Sequence, residues 1–265
     1  MTNKKTVIVS GGTYGIGRGI SLTLAERGWQ VVAFGLEGRQ PGSFAQNGIE
    51  HTRAALQEHS LSAELLEADV ADAQAVARVV DISLQRFGSI EGVVNNAAIR
   101  PTGTTLETDE ASFDRTIAVN LKGVFLLSKA VIPIMQKAGG GAIVNIGSGA
   151  GWGKPGIAAY SASKGGVVAL STAMAYDHLD DKIRVNVVVP GPQTESGQVE
   201  AITASQELPP VATVSGRANR PTDVANAVAF LLSKEAEQIS GTVLDVGCFS
   251  HQGGGLAVKR KRTEP

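Results

Sequence analysis

A short apolar run that ends in a cluster of glycines and reopens as a helix constrains this chain more than any other feature. Residues 6–10 read Thr-Val-Ile-Val-Ser, a strand by length and β-branched content. Gly11, Gly15 and Gly17 come next, and Ile16, Ile20 and Leu24 then mark one face of a helix. Glycines free the backbone of Cβ atoms where it must turn tightly, and the amides at the helix N-terminus are placed to meet a pyrophosphate. Strand-like runs recur near residues 30–34, 63–68, 90–95, 142–147, 183–189 and 242–246, separated by helical patterns such as Val76, Val79, Val80, Leu84 and Phe87. Right-handed crossovers would wind these into an α/β domain: a doubly wound, Rossmann-type parallel sheet of about seven strands with helices on both faces.

A second constellation lies in the run Tyr160-Ser161-Ala162-Ser163-Lys164, with Ser148 upstream. On a helix, residues four apart share a face, so the phenol and the ammonium can reach one cleft. A tyrosine brought to neutrality needs its pKa lowered by roughly 3 units, about 4 kcal/mol of preference for the phenolate. A neighbouring cation in a partly desolvated site can supply that preference. The expected strand over 90–95 ends in Asn95-Asn96-Ala97-Ala98 and that over 142–147 in Gly147-Ser148. Polar or small residues thus gather where open parallel sheets hold their ligands.

In family order, the glycine spacing, Asp69-Val70, Asn95-Asn96-Ala97, Asn120, Ser148, Tyr160 with Lys164 and Pro190-Gly191 resemble the short-chain dehydrogenase/reductase family, over residues 6 to about 247. The resemblance implies an enzyme that moves a hydride between a nicotinamide and a secondary alcohol or ketone, with Asn120, Ser148, Tyr160 and Lys164 catalytic. Tyr160 would exchange the proton, Ser148 would hold the same substrate oxygen, and Lys164 would favour the phenolate and bind the nicotinamide ribose. Asn120, on a helix beginning near Val119, would hold a water linking the lysine to solvent. The dinucleotide would meet Gly11, Thr13, Tyr14, Gly15, Ile16, Gly17, Glu37, Arg39, Asp69, Val70, Asn96, Ala97, Tyr160, Lys164, Pro190, Gly191 and Gln193. Asp69 would sit at the adenine, and Asn95 with Ala97 at the adenosine ribose. Substrates implied are a 3-oxoacyl thioester or a sugar or polyol. The competing reading is a regulatory module that binds the dinucleotide without catalysis.

NADP or NAD is the expected cofactor, with a lean toward NADP. The run Val31-Val32-Ala33-Phe34-Gly35-Leu36 carries no carboxylate at the strand end, where an NAD-selective site places one; Glu37 lies later, and Arg39 is suited to a phosphate. Ala98 stands where the resemblance predicts glycine, and Gly247-Cys248-Phe249 replaces its Asp-Gly-Gly. Trp152 and Arg100 are the candidate substrate residues, the first as an apolar wall and the second as receiver of an anionic group.

Residues 1–249 are expected to form one dinucleotide-binding and catalytic domain, with a substrate lid at 191–219 and a disordered basic tail at 250–265. The net charge of −1 offers no general attraction to nucleic acid or anionic membrane. No run is expected to span a bilayer. One cysteine, Cys248, excludes an internal disulfide and points to a cytoplasmic setting. His51, His59, His178 and His251 lack metal-ligand spacing, so no metal site is expected. Partners are therefore a small carbonyl or alcohol substrate and further copies of the chain, as a homotetramer or homodimer joined through helices near 105–136 and 158–180.

Overall fold

The computed structural model describes residues 4–38, 46–191, 194 and 213–249. Seven strands form one parallel sheet in the order β3-β2-β1-β4-β5-β6-β7. They are β1 (Thr6–Ser10), β2 (Gln30–Gly35), β3 (Ala63–Glu67), β4 (Gly92–Asn95), β5 (Gly141–Ile146), β6 (Ile183–Val189) and β7 (Val243–Asp245). The helices between them are α1 (Gly15–Glu26), α2 (Gly48–Glu58), α3 (Ala73–Phe87), α4 (Glu110–Ile117), α5 (Gly123–Ala138), α6 (Ala158–Asp177) and α7 (Pro221–Leu232).

Strand side chains alternate between two cores, as their period of two requires. Ile8, Val32, Val93, Ile143 and Val185 face α3, α5 and α6, packing with Val79, Leu127, Val131 and Val167. Val7, Val9, Val31, Val94 and Val144 face the other way, toward Ile20 and Leu24 of α1 and Val224 and Val228 of α7. The switch point falls between β1 and β4, which pair directly although β2 follows β1 in sequence.

One buried polar chain crosses this core. Asn95 and Asn145 are register partners on β4 and β5. Asn95 Nδ2 donates to Asn145 Oδ1 at 2.8 Å, and Asn145 Nδ2 donates to Ser171 Oγ of α6 at 2.8 Å. Asn95 is therefore a sheet-to-helix tie and not a wall of the adenosine ribose as expected.

Glu110–Ala138 is one helical stretch, and by its length and an 18-residue window of mean hydropathy 1.7 it is long and apolar enough to cross a membrane, contrary to expectation. Its apolar content is explained by the sheet, onto which Val124, Leu127, Val131 and Met135 pack. Midway, Ala118–Lys122 is wound as a π-helix, closed by Gly123 N–H donating to the Ala118 carbonyl. Asn120 thus lies inside a continuous helix, not near the start of one. The extra residue per turn rotates it off the core-facing stripe and toward the loop after β4.

Candidate active site

The site lies across the C-terminal ends of β1, β4, β5 and β6. At β1, the turn after Ser10 leads into α1. Gly15 has φ of 54°, a backbone state that favours glycine, and a Cβ on Gly17 would collide with the Gly11 carbonyl oxygen. Ser10 Oγ accepts from the Asn96 and Ala97 amides at 3.1 and 3.2 Å, and Asn96 Nδ2 donates to the Gly11 carbonyl at 2.9 Å. These bonds lock the β1 and β4 loops together. Thr13 is buried and its carbonyl accepts from Thr52 Oγ1 at 2.6 Å, while Ile16 packs on the core beneath α1. Tyr14 stands at the N-cap of α1, and burial pushes its phenol up from its ordinary value.

The N-terminus of α1, like that of α6, carries no side-chain cap, whereas four other helix starts are taken by a carboxylate. Asp72 caps α3, Asp109 caps α4, Asp223 caps α7 and Glu37 accepts from the first amides of α2. No side chain caps α1, and its first turn holds no acidic residue. A glycine-lined helix start left open in this way fits a dinucleotide's pyrophosphate.

Farther from the turn, the expected cofactor residues divide. Glu37 Oε2 and Oε1 accept from the Gly48 and Ile49 amides at 3.0 and 2.7 Å, so its carboxylate caps α2, a role the sequence did not announce. Asp69 Oδ2 pairs with Arg115 at 2.8 Å and its Oδ1 accepts from the Ala71 amide at 2.9 Å. The Val70 side chain belongs to the core, which leaves only its main chain for a ligand. Pro190 and Gly191 follow β6; Gly191 is buried and its carbonyl accepts from Thr194 Oγ1 at 2.8 Å. Arg39, Gln193, most of the expected 191–219 lid and the 250–265 tail fall outside the described residues.

The candidate proton-transfer residues converge at the ends of β5 and α6. Ser148 begins the 3-10 turn Gly149–Trp152, accepting from the Ala150 amide at 3.1 Å, and its side chain lies near enough to the Tyr160 phenol to oppose the rise of that phenol's pKa. Trp152 ends that turn and is half exposed. Lys164, one helical turn beyond Tyr160, donates to the Ile146 carbonyl at 2.7 Å and sits 5.8 Å from the centre of the phenol ring. Burial holds the Lys164 ammonium down to about 8. Burial also pushes the Tyr160 phenol up from its ordinary 10, against the opposing pull of Ser148 and the Arg100 charge. The expected drop toward neutrality is thus reversed: desolvation outweighs the influence of Ser148 and of the Arg100 charge.

Asn120 is fully buried and spent on the loop after β4. Its Oδ1 accepts from the Ile99 amide and its Nδ2 donates to the Ile99 carbonyl, each at 2.8 Å. Nδ2 also donates to Ser163 Oγ at 3.0 Å, and Ser163 Oγ donates to the Tyr160 carbonyl at 2.7 Å. Both amide protons are used, so holding a water does not fall to them. Ser163 and Ser10 were not anticipated as parts of the site. Ser163 lies three residues after Tyr160, the spacing that shares its helical face, and Ser10 sits where β1 ends.

Known proteins resemble the chain in sequence and fold. A family model described as Enoyl-(Acyl carrier protein) reductase matches residues 11–248. The 2-(S)-hydroxypropyl-CoM dehydrogenase 3 of Xanthobacter autotrophicus is 35% identical over 91% of this chain and 94% of its own. The 3-oxoacyl-acyl-carrier-protein reductase of Thermotoga maritima is 32% identical over 91% of this chain and 96% of its own. Among solved structures, an actinorhodin polyketide ketoreductase variant with NADPH superposes with a TM-score of 0.84 at 28% identity, covering 95% of this chain and 98% of that one. By sequence match and by fold, the chain belongs to the short-chain dehydrogenase/reductase family.

Proposed function

We propose that this oxidoreductase interconverts a secondary alcohol and a ketone using a nicotinamide dinucleotide, with Tyr160 exchanging the proton. One observation carries the reading: Ser148, Tyr160 and Lys164 converge at the end of β5, beside the glycine turn and uncapped helix start that fit the dinucleotide. When bound, the dinucleotide supplies or accepts the hydride at its nicotinamide. The protein's task is position and proton management. Ser148 holds the substrate oxygen against the phenol, and burial keeps that phenol in its acid form, the form that protonates a ketone oxygen. Lys164, held by the Ile146 carbonyl, keeps two ammonium protons for the ribose and lies one helical turn from the phenol.

NADP is the preferred form in this reading. Gly35 puts no carboxylate at the end of β2, and Glu37 is already held by two amides of α2. The substrate classes carried forward are a 3-oxoacyl thioester and a sugar or polyol. A homotetramer is supported by Phe113 and Phe125, both more than two-fifths exposed along the helix that precedes β5, and by Ala162 and Ala169, small and exposed on α6. A cytoplasmic setting rests on the single cysteine.

Fluorescence titration of the protein with NADPH and NADH at one ionic strength, followed by turnover assays of Tyr160→Phe, tests the reading. Expected are tighter NADPH binding and loss of turnover with dinucleotide affinity retained. Full turnover by Tyr160→Phe would defeat it.

A further inference from the structure

Arg100 lies beside the phenol of Tyr160. Its guanidinium carbon lies 6.0 Å from the centre of the Tyr160 ring. Arg86, Arg115 and Arg217 each pair with a carboxylate, Glu64, Asp69 and Asp223 respectively, whereas no carboxylate of the described residues pairs with Arg100. The side chain is half-buried, so its charge is only partly hydrated.

The backbone beneath it is pinned on both sides. Just before it, Ile99 is clamped through its amide and carbonyl by Asn120. Just after it, Gly103 donates to the Gly156 carbonyl at 2.8 Å and accepts from the Ala158 amide at 3.1 Å, at the start of α6. Pro101 restricts the intervening backbone further. Residues 99–103 therefore form a strap tied to the helix that carries Tyr160, with a cation held beside the reacting phenol. Placing a guanidinium in a cleft without an acidic partner leaves its planar donor fork for an anion from outside.

We infer that Arg100 receives an anionic group on the substrate, so that the site takes a secondary alcohol or ketone bearing a carboxylate, or an oxyanion of like geometry, a few bonds from the reacting carbon. This rests on the alcohol and ketone chemistry proposed above and narrows its substrate class. The short distance to Tyr160 requires a compact acid, because the anion and the reacting oxygen must span the gap between guanidinium and phenol together.

The test uses the full chain loaded with NADP+ and three matched pairs: 3-hydroxybutanoate, 4-hydroxypentanoate and 5-hydroxyhexanoate, each against its neutral primary amide. Calorimetric titration reads binding, and absorbance of the reduced nicotinamide reads turnover. At least one acid is expected to bind about tenfold to a hundredfold more tightly than its amide, a ratio that reflects one charge-assisted contact. Arg100→Gln is expected to bring the ratio close to one, with Arg100→Lys between the two, and the change is expected in KM more than in kcat. Amides binding as well as acids at every length, or no binding of either class, would overturn the inference. So would an Arg100→Gln effect that is equal for acids and amides, which marks electrostatic support of Tyr160 alone. Turnover of neutral alcohols without any preference for acids would leave the alcohol and ketone reading standing while removing this one. Absence of dinucleotide binding would remove both.

Discussion

Replacing Asn120 with alanine tests whether this residue is a clamp. The carboxamide makes three hydrogen bonds, two to Ile99 and one to Ser163, in a fully buried position. At about 1 kcal/mol each, their loss costs about 3 kcal/mol. For a domain of this size that lowers the melting temperature by about 6–12 °C. Urea unfolding followed by circular dichroism measures the energy, and hydrogen exchange of the peptide containing Ile99 measures the local release. Faster exchange should be concentrated there, because Ile99 alone loses partners for both its amide and its carbonyl. Asn120→Asp is the control: it keeps an acceptor for the Ile99 amide, loses both donors and buries a charge, so it should be no more stable than the alanine variant. A loss well below about 1 kcal/mol with unchanged exchange at Ile99 would refute the clamp.

Other expectations follow from the same geometry. Lys164 titrates at about 8 when folded and near 10.5 when unfolded, so between those values the unfolded chain binds more protons and stability rises with pH. Between pH 7.5 and 9.5 the rise should be about 2 kcal/mol, and absent in Lys164→Met; parallel profiles in urea melts would contradict it. Asp223, pulled down to about 2 chiefly by Arg217, contributes stability that is complete above its ordinary 3.8 and lost as pH falls through about 2. Asp223→Asn should cost about 1 kcal/mol at neutral pH, allowing for solvent screening, with the difference vanishing in acid melts. Cys248 and Phe249 adopt φ of 53° and 72°, the left-handed state disfavoured for residues with a Cβ. Cys248→Gly with Phe249→Gly should raise the melting temperature by a few degrees, and a fall would show that packing of these side chains outweighs the backbone cost.

Much of this fold is written locally. Most of the strands announce themselves through short β-branched runs, although β3, Ala63–Glu67, has none, and the glycine turn through spacing alone. The four proton-transfer candidates come from family order, which fixes residue type and position together. What escaped was whatever depends on contacts between distant segments. Glu37 reads as a ribose contact until α2 arrives to claim both of its oxygens. Asn95 reads as a ligand wall until its register partner on β5 proves to be Asn145. The π-turn at Ala118–Lys122 has no signature in composition, since one inserted residue leaves the apolar spacing on either side intact. The rise in the Tyr160 pKa escaped for the same reason: burial is a property of the assembled cleft, not of the Tyr-Lys spacing.

The sheet order β3-β2-β1-β4-β5-β6-β7 also bears on how the chain emerges from the ribosome. The strand made first is interior, hydrogen-bonded to β2 on one side and β4 on the other. Its second neighbour ends at Asn95, so a nascent chain that has completed β1, β2 and β3 still presents one open, apolar edge. Translation must deliver α3 and β4 before that edge closes, at a rate of about 5–20 residues per second. A slowed decoding of residues 68–95 would lengthen the exposure of β1 to other chains and to holding chaperones, without changing a single native contact.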